Sequence, residues 1–499
     1  MQSCNSSGKP SMSKYRLTSY FRFFLLLLGL QIFTEVRAQG IEADIVVDAS
    51  GQTAKISGRI MDGFVPANKR NVVFKKTVAG NDRLAERISE LELFGTRPIA
   101  FRRLMAGEYL AEADFAEWSY RIDLKSPAGK AAAAHSSWIG QENGILMLDD
   151  LLPQFGSRGL KVFGKIRLRL PDGWSTTDSN KATLNESISM DLDDVENSVV
   201  FVGRSLRSFD GHDSSSMPRL VLSGSWQFTD NEAAAMISEI FAEYSKTLGQ
   251  LPKGNFRIGI LKFPDAENSG HWEAETRGRT VTILSSDMPF RTLSLQRLHE
   301  QLRHEIFHLW FPNGVNLSGD YSWFYEGFAL YQSLKLGVGV NRIRFEDMLG
   351  TLARAYTIDA NAKPRLPLVG DTSFDPTVRY ARGMLVAFLI DIEMLSNSKG
   401  KTDVAEVLGR IYRRYGNGGT SADGNDAVIE ALAQRAIIDK YILGSAPIEW
   451  AEMLVNAGLV STTNGRTASL SVAPKLNGRQ KEILDRLGYN NWRKIGIKR

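Results

Sequence analysis

Residues 304–308 read His304-Glu305-Ile306-Phe307-His308. Apolar residues recur at helical spacing around them, from Leu293 to Trp310, and Pro312-Asn313-Gly314 supplies a stop. A helix is therefore expected over 293–310. Positions four apart lie on one helix face, so His304 and His308 can reach a single ion. Glu305 sits beside the first of them, where it can take a proton from a water at that ion. The chain holds only six histidines, at 135, 212, 271, 299, 304 and 308. With so few, an accidental match is on the order of a few in a thousand. The bland alternative is two polar residues on a helix surface.

A catalytic zinc takes three protein ligands and keeps one position open. The third is expected in Tyr321-Ser322-Trp323-Phe324-Tyr325-Glu326-Gly327-Phe328-Ala329-Leu330-Tyr331, which reads as part of a second helix over 320–336. Glu326 stands there among aromatic residues, a costly place for a carboxylate without a partner. A divalent cation is one such partner, and an arginine is the alternative. Seventeen residues separate His308 from Glu326, enough for a loop and an antiparallel helix.

Outward from these segments, the chain divides by pattern. Beyond residue 293 it is almost wholly helical to Leu459, with helices expected over 343–357, 376–395, 402–414, 424–442 and 447–457. Thr229-Asp230-Asn231-Glu232 reads as the start of a helix running to Leu248, followed by strands at 256–261 and 280–284. From Ile41 to about Leu222 the chain reads as short strands separated by turns such as Pro171-Asp172-Gly173. Lys161–Leu170 alternates apolar and basic residues, which suits a sheet with one wet face. The expected fold class is α+β and multidomain. A β-rich N-terminal domain spans 39–225, and a mainly helical domain carrying the motif spans 226–460. A basic, loosely packed tail covers 461–499.

The 499 residues are 43% apolar and 23% charged, which excludes a disordered, collagen-like or polytopic membrane protein. The formal net charge is +5. Residues 1–38 hold five of the 61 basic residues and one of the 56 acidic ones, so the body lies within one charge of neutrality. That leaves no electrostatic footprint for nucleic acid. The same segment has a basic start, an apolar run from Phe23 to Phe33 and a small-x-small site, Val36-Arg37-Ala38, before Gln39. This is the pattern of a secretory signal peptide at 1–38, since eleven apolar residues are too few to span a bilayer. An exported protein, periplasmic or extracellular, with no membrane anchor after cleavage is expected. The one cysteine, Cys4, lies inside this segment, so a mature chain has neither disulfides nor thiolate ligands.

The motifs together resemble the gluzincin zinc metallopeptidases, in which a glutamate on the following helix completes the metal site. Trp323-Phe324-Tyr325-Glu326-Gly327-Phe328-Ala329 is similar to the W-x-x-E-G-F-A segment of the aminopeptidase N and glycyl aminopeptidase families. The spacing to Glu326 is one residue short of that in aminopeptidase N. Tyr380-Ala381-Arg382-Gly383 is similar to the Y-x-K-G segment of these families, with arginine for lysine. Leu168–Trp174 resembles part of the β domain of the glycyl aminopeptidases, and Asp439–Leu459 their closing helices. The resemblance implies a thermolysin-like catalytic domain, one zinc ion on His304, His308 and Glu326, Glu305 as general base, and Tyr380 as a donor to the oxyanion. It also sets Gly270-His271-Trp272-Glu273-Ala274 in the place of a G-x-M-E-N segment, whose glutamate holds a substrate's free amine. Gly and Glu match there, and Met and Asn do not. Glu273 is the expected amine anchor; the alternatives are Glu275, or that both are merely solvated. His271 and His299 are expected to be structural. Longer glycyl aminopeptidases carry a PDZ domain, for which the forty residues after Leu459 are too few.

The expected function is an exported zinc metallopeptidase acting on peptides or proteins, an aminopeptidase if the amine anchor is real. The alternatives are a zinc endopeptidase and a catalytically silent peptide-binding protein on a peptidase scaffold.

Overall fold

The computed structural model describes residues 40–62, 69–129, 131–154, 161–177, 187–209, 217–370, 375–464 and 467–490. The expected signal segment and its cleavage site lie outside them, as does His212.

The first part of the chain is built on strands, as its alternation dictates. A seven-stranded sheet runs in the order Ile188–Leu192, Phe163–Arg169, Gly40–Asp48, Thr53–Ile60, Glu117–Asp123, Ile88–Phe94, Pro98–Ile99. In Phe163–Arg169, Gly164, Ile166 and Leu168 are buried while Lys165, Arg167 and Arg169 face water. A second sheet of four strands contains Asn143–Met147 and Val199–Gly203, both buried at every residue. Burial on both faces has a cause. One face meets the first sheet, through Leu146, Val200 and Val202. The other meets the next domain, where Trp138, Ile145, Met147, Val199 and Phe201 pack on Val221, Leu261 and Leu284. Gly259 permits that approach, because a Cβ there would stand 2.3 Å from the Phe201 ring. The interface is thus an apolar core that holds the two domains together.

The second domain starts earlier than its helical pattern suggests. Its five-stranded sheet runs Arg207–Phe209, Arg219–Leu222, Arg257–Leu261, Thr280–Ser285, Trp272–Arg277. The expected boundary at 225 therefore moves toward the N-terminus. Arg219–Leu222 pairs parallel with Arg257–Leu261 across the helix Asp230–Leu248, and Leu220 and Leu222 belong to the core under the helices. That helix begins with a capping box between Thr229 and Glu232 and stops at Gly249, in the left-handed conformation. The helices Arg291–Phe307, Ser322–Gly339, Phe345–Asn361, Pro376–Asn397 and Val404–Tyr415 follow, within a few residues of expectation. The long helix expected over 424–442 breaks instead. Gly424–Leu432 ends at Ala433 in the left-handed region, and a short helix and a π turn follow to Ile442.

The expectation of a loosely packed tail does not survive. Leu459–Asn464 and Thr467–Val472 form a hairpin, and Gly478–Arg486 a helix, with Leu470, Ile483, Leu484 and Leu487 buried in the main core. Apolar residues spaced among many polar ones hid an amphipathic helix.

Candidate active site

Leu298, Leu302 and Ile306 seat the helix Arg291–Phe307 in the core. This leaves His304 and Glu305 in its last turn, and His308 directly after it in right-handed backbone (φ −67°, ψ −14°). The His308 Nδ1–H donates to the Phe311 carbonyl at 2.8 Å, so Nε2 keeps its lone pair for another partner. Trp323, Phe324 and Phe328 anchor the helix Ser322–Gly339 on its buried side, with Phe324 edge-on to Phe311. Glu326 emerges opposite the two histidines.

Three donor atoms converge. The His304 and His308 Nε2 atoms are 3.2 Å apart, and a Glu326 Oε2 lies 3.3 Å from the first and 3.6 Å from the second. Ligands about 2.0–2.1 Å from a tetrahedral ion stand about 3.3–3.4 Å from one another. The residues present therefore fit a zinc ion in both spacing and donor type. Among the described residues this is the one cluster of three or more such groups close enough to share an ion. Electrostatics agree. Burial opposes charge on both partners, yet their mutual attraction wins. Glu326 is held far below the usual carboxylate range by His308 and His304, and Glu326 lifts His308 to about 9. A cation is what this site favours.

Glu305 is 4% exposed, and its carboxylate accepts a hydrogen bond from the Thr276 hydroxyl at 2.8 Å. Thr276 belongs to the edge strand Trp272–Arg277, which among the described residues pairs only with Thr280–Ser285. Strand alternation puts Thr276 on one face and Glu273, Glu275 and Arg277 on the other. Glu273 is therefore on the face turned from the helix Arg291–Phe307, with His271 Nε2 at 3.5 Å. Glu275 shares that face and is already engaged by His135 and Arg277. His299 lies away from the metal cluster, buried between Arg303 at 2.6 Å and Glu239 at 3.5 Å. Burial and Arg303 pull its imidazole down to about 3, consistent with a structural role.

Tyr380 occupies the first turns of the helix Pro376–Asn397, which Asp375 caps at Thr377 N. Burial, with the charge of Glu326 nearby, pushes its phenol up to about 12, so the hydroxyl stays a donor. Two glycines set this neighbourhood. A Cβ at Gly383 would lie 2.2 Å from the Trp323 carbonyl oxygen, and one at Gly327 would lie 2.6 Å from the Gly383 Cα. The two helices thus touch backbone to backbone, which brings Glu326 and Tyr380 to the same place. Arg379 clips their starts together through Asp320 at 2.9 Å, and Asp320 in turn accepts from Ser322 N. Arg382 has no part in the cleft. It is 1% exposed and bonds Asp359 and the carbonyls of Tyr441 and Ala446. Gly383→Ala is expected to lower stability by about 1–3 kcal/mol through overpacking. It should also reduce turnover more than zinc content, because Tyr380 rides on the substituted helix while His304 and His308 stand on another element. Denaturant melts with zinc assay and kinetics on one preparation check this.

Sequence reasoning missed Thr276 and His135, and took Asn313 for a simple helix stop. The Asn313 side chain bonds the carbonyls of His308 and Thr276 and the amide of Gly278. A lone threonine or asparagine carries no pattern, and only the fold brings these to the site.

No protein-family model matches the sequence, and no curated protein matches it. Solved structures do match in shape. An aminopeptidase N family protein from Idiomarina loihiensis superposes with a TM-score of 0.69 at 15% identity, over 85% of this chain and 79% of that one. An M1 zinc metallopeptidase from Deinococcus radiodurans, in a mutant bound to a Tyr-Ser-Ala substrate, gives 0.55 at 15% identity, over 82% and 95%. A leukotriene A4 hydrolase from Saccharomyces cerevisiae gives 0.52 at 12% identity, over 88% and 69%. At these identities the likeness is one of fold. The chain has the multidomain architecture of these metallopeptidases, as the resemblance of its motifs implies.

Proposed function

We propose that this chain is an exported zinc-dependent peptidase that removes residues from the amino terminus of peptides. The observation that carries the reading is the convergence of His304, His308 and Glu326 at tetrahedral spacing beside the buried carboxylate of Glu305. The metallopeptidase fold supports it, and so does the similarity of Trp323–Ala329 and Tyr380–Gly383 to aminopeptidase segments. Export rests on the pattern of residues 1–38. No helix among the described residues is long and apolar enough to cross a membrane.

His304 and His308 would hold the ion through Nε2, and Glu326 through a carboxylate oxygen. A zinc bound there would supply Lewis-acid activation of the scissile carbonyl and of a water. The Glu305 carboxylate takes the proton of the attacking water and returns it to the leaving amine. The Tyr380 hydroxyl, kept protonated by its surroundings, donates to the developing oxyanion, an interaction worth about 3 kcal/mol in comparable sites. Both acidic candidates for the counter-charge to the substrate's ammonium, Glu273 and Glu275, lie on the strand face turned from the helix Arg291–Phe307, so the amine anchor is assigned to neither.

The test uses peptide pairs with free and acetylated amino termini, with cleavage products identified by mass spectrometry. Stepwise loss of single N-terminal residues from the free member alone is expected. Internal cuts in both members would make the protein an endopeptidase. No cleavage by the zinc-loaded chain across a broad peptide library would favour a silent binding protein.

A further inference from the structure

Three consecutive residues connect the two domains to the catalytic carboxylate. Thr276 faces the helix Arg291–Phe307, and its hydroxyl donates to Glu305 Oε2. Glu275 and Arg277, on either side of it, face the β-rich domain, and both are gripped there. His135 Nδ1 stands 2.6 Å from Glu275 Oε2. Arg277 joins Glu275 Oε1 at 2.7 Å and also bonds Asp149. Lys75 holds the other oxygen of Asp149 at 2.6 Å. His135, Asp149 and Lys75 all belong to the β-rich domain. The chain of groups pairs two cations with two carboxylates. Arg277 is 8% exposed and Asp149 13%, so the attraction is little screened by water.

An edge strand has a strand neighbour on one side only, and beyond that pairing Asn313 bonds the Thr276 carbonyl and the Gly278 amide. Glu305 stands on that strand's hydroxyl for its orientation, because among its described hydrogen-bond partners Thr276 is the one that reaches its side chain. We propose that Thr276 is a positioning residue for Glu305, and that the β-rich domain sets its place by clamping Glu275 and Arg277. The β-rich domain is then part of the catalytic apparatus although it supplies no reacting group. The clamp fixes the strand against sliding and tilting, and the hydroxyl holds the carboxylate rotamer that receives the water's proton. The assignment of a role to Glu305 rests on the peptidase reading above.

The experiment uses the full, zinc-loaded chain and reads kinetics together with amide hydrogen exchange. Thr276→Val removes the hydroxyl while keeping the shape. It should lower kcat about 10–30-fold, a part of the about 10²–10⁴-fold that a general base contributes, with KM within about twofold and with zinc content unchanged. Thr276→Ser should recover kcat to within about threefold, since the donor returns. In a Glu305→Gln background, Thr276→Val should cost nothing further. Asp149→Asn and the milder His135→Gln should each lower kcat about tenfold. Both should also speed exchange of the amides of 272–277, leaving those of the helix Pro376–Asn397 as they were. A wild-type kcat in Thr276→Val, or a Thr276→Ser variant as slow as it, would overturn the positioning role. Unchanged exchange and kcat in both clamp variants would overturn the role of the β-rich domain. Should the wild-type chain cleave no peptide at all, the peptidase reading falls, and the exchange measurement alone still decides whether the strand is clamped.

Discussion

Glu305→Gln is expected to bind zinc as the wild type does and to lose turnover by about 10³–10⁴-fold, the upper range for a general base. The substitution keeps volume and keeps an oxygen to accept from the Thr276 hydroxyl, now 2.8 Å from the carboxylate. It leaves His304, His308 and Glu326 untouched. What it removes is the capacity to hold a proton between attack and departure. The result separates two classes of protein. A scaffold that only binds peptides gains nothing from a carboxylate that is 4% exposed, because burying such a group costs free energy. A hydrolase needs it there, out of water and beside the ion. Equal zinc content by elemental analysis, together with the loss of rate, assigns the proton transfer to this residue. Wild-type turnover by a Glu305→Gln protein freed of contaminating peptidase would sink the assignment.

The metal cluster was legible because its chemistry is local. Two histidines at i and i+4 are one helix turn apart in any protein that folds that segment as a helix, and their convergence at 3.2 Å needs nothing from elsewhere. Glu326 was legible by its anomaly, a carboxylate in an aromatic run. Helices with a clear stripe, such as Val404–Tyr415, were found to within a few residues. What the sequence concealed depends on contacts between distant segments. Glu273 and Glu275 differ by two positions and have the same spacing argument. Only the pairing of His135, 140 positions away from Glu275, shows that one of them is already occupied. The domain boundary was misread for the same reason. Arg219–Leu222 looks like any strand of the preceding β region, and its allegiance follows from pairing with Arg257–Leu261. Ala433, in the left-handed conformation, gave no glycine to mark the break in the expected helix 424–442.

Glu326→Ala should abolish zinc retention and, with it, activity, while leaving a folded chain. The fold does not lean on Glu326. The helix that carries it is held by Trp323, Phe324 and Phe328 in the core, by the contact of Gly327 with Gly383, and by Lys335 and Tyr331 on the buried Asp391. The site leans on it heavily. It is the one anionic donor among the three, and its charge is what raises His308 to about 9 in the absence of an ion. Loss of a supporting residue behind a ligand costs about 10–100-fold in metal affinity, so loss of a charged ligand itself should cost more than 100-fold. Thermal melts give the readout, since an ion bound only by the folded state raises Tm as its concentration exceeds Kd. Micromolar zinc should raise the Tm of metal-stripped wild type and leave that of Glu326→Ala unmoved. Glu326→Gln keeps an oxygen ligand and discards the charge, so it should fall between them. An unshifted baseline Tm in both variants would show that the glutamate serves the ion and not the helix packing. Full zinc retention by Glu326→Ala after dialysis would mean that the ion is held by other groups, and the three-ligand assignment would fail.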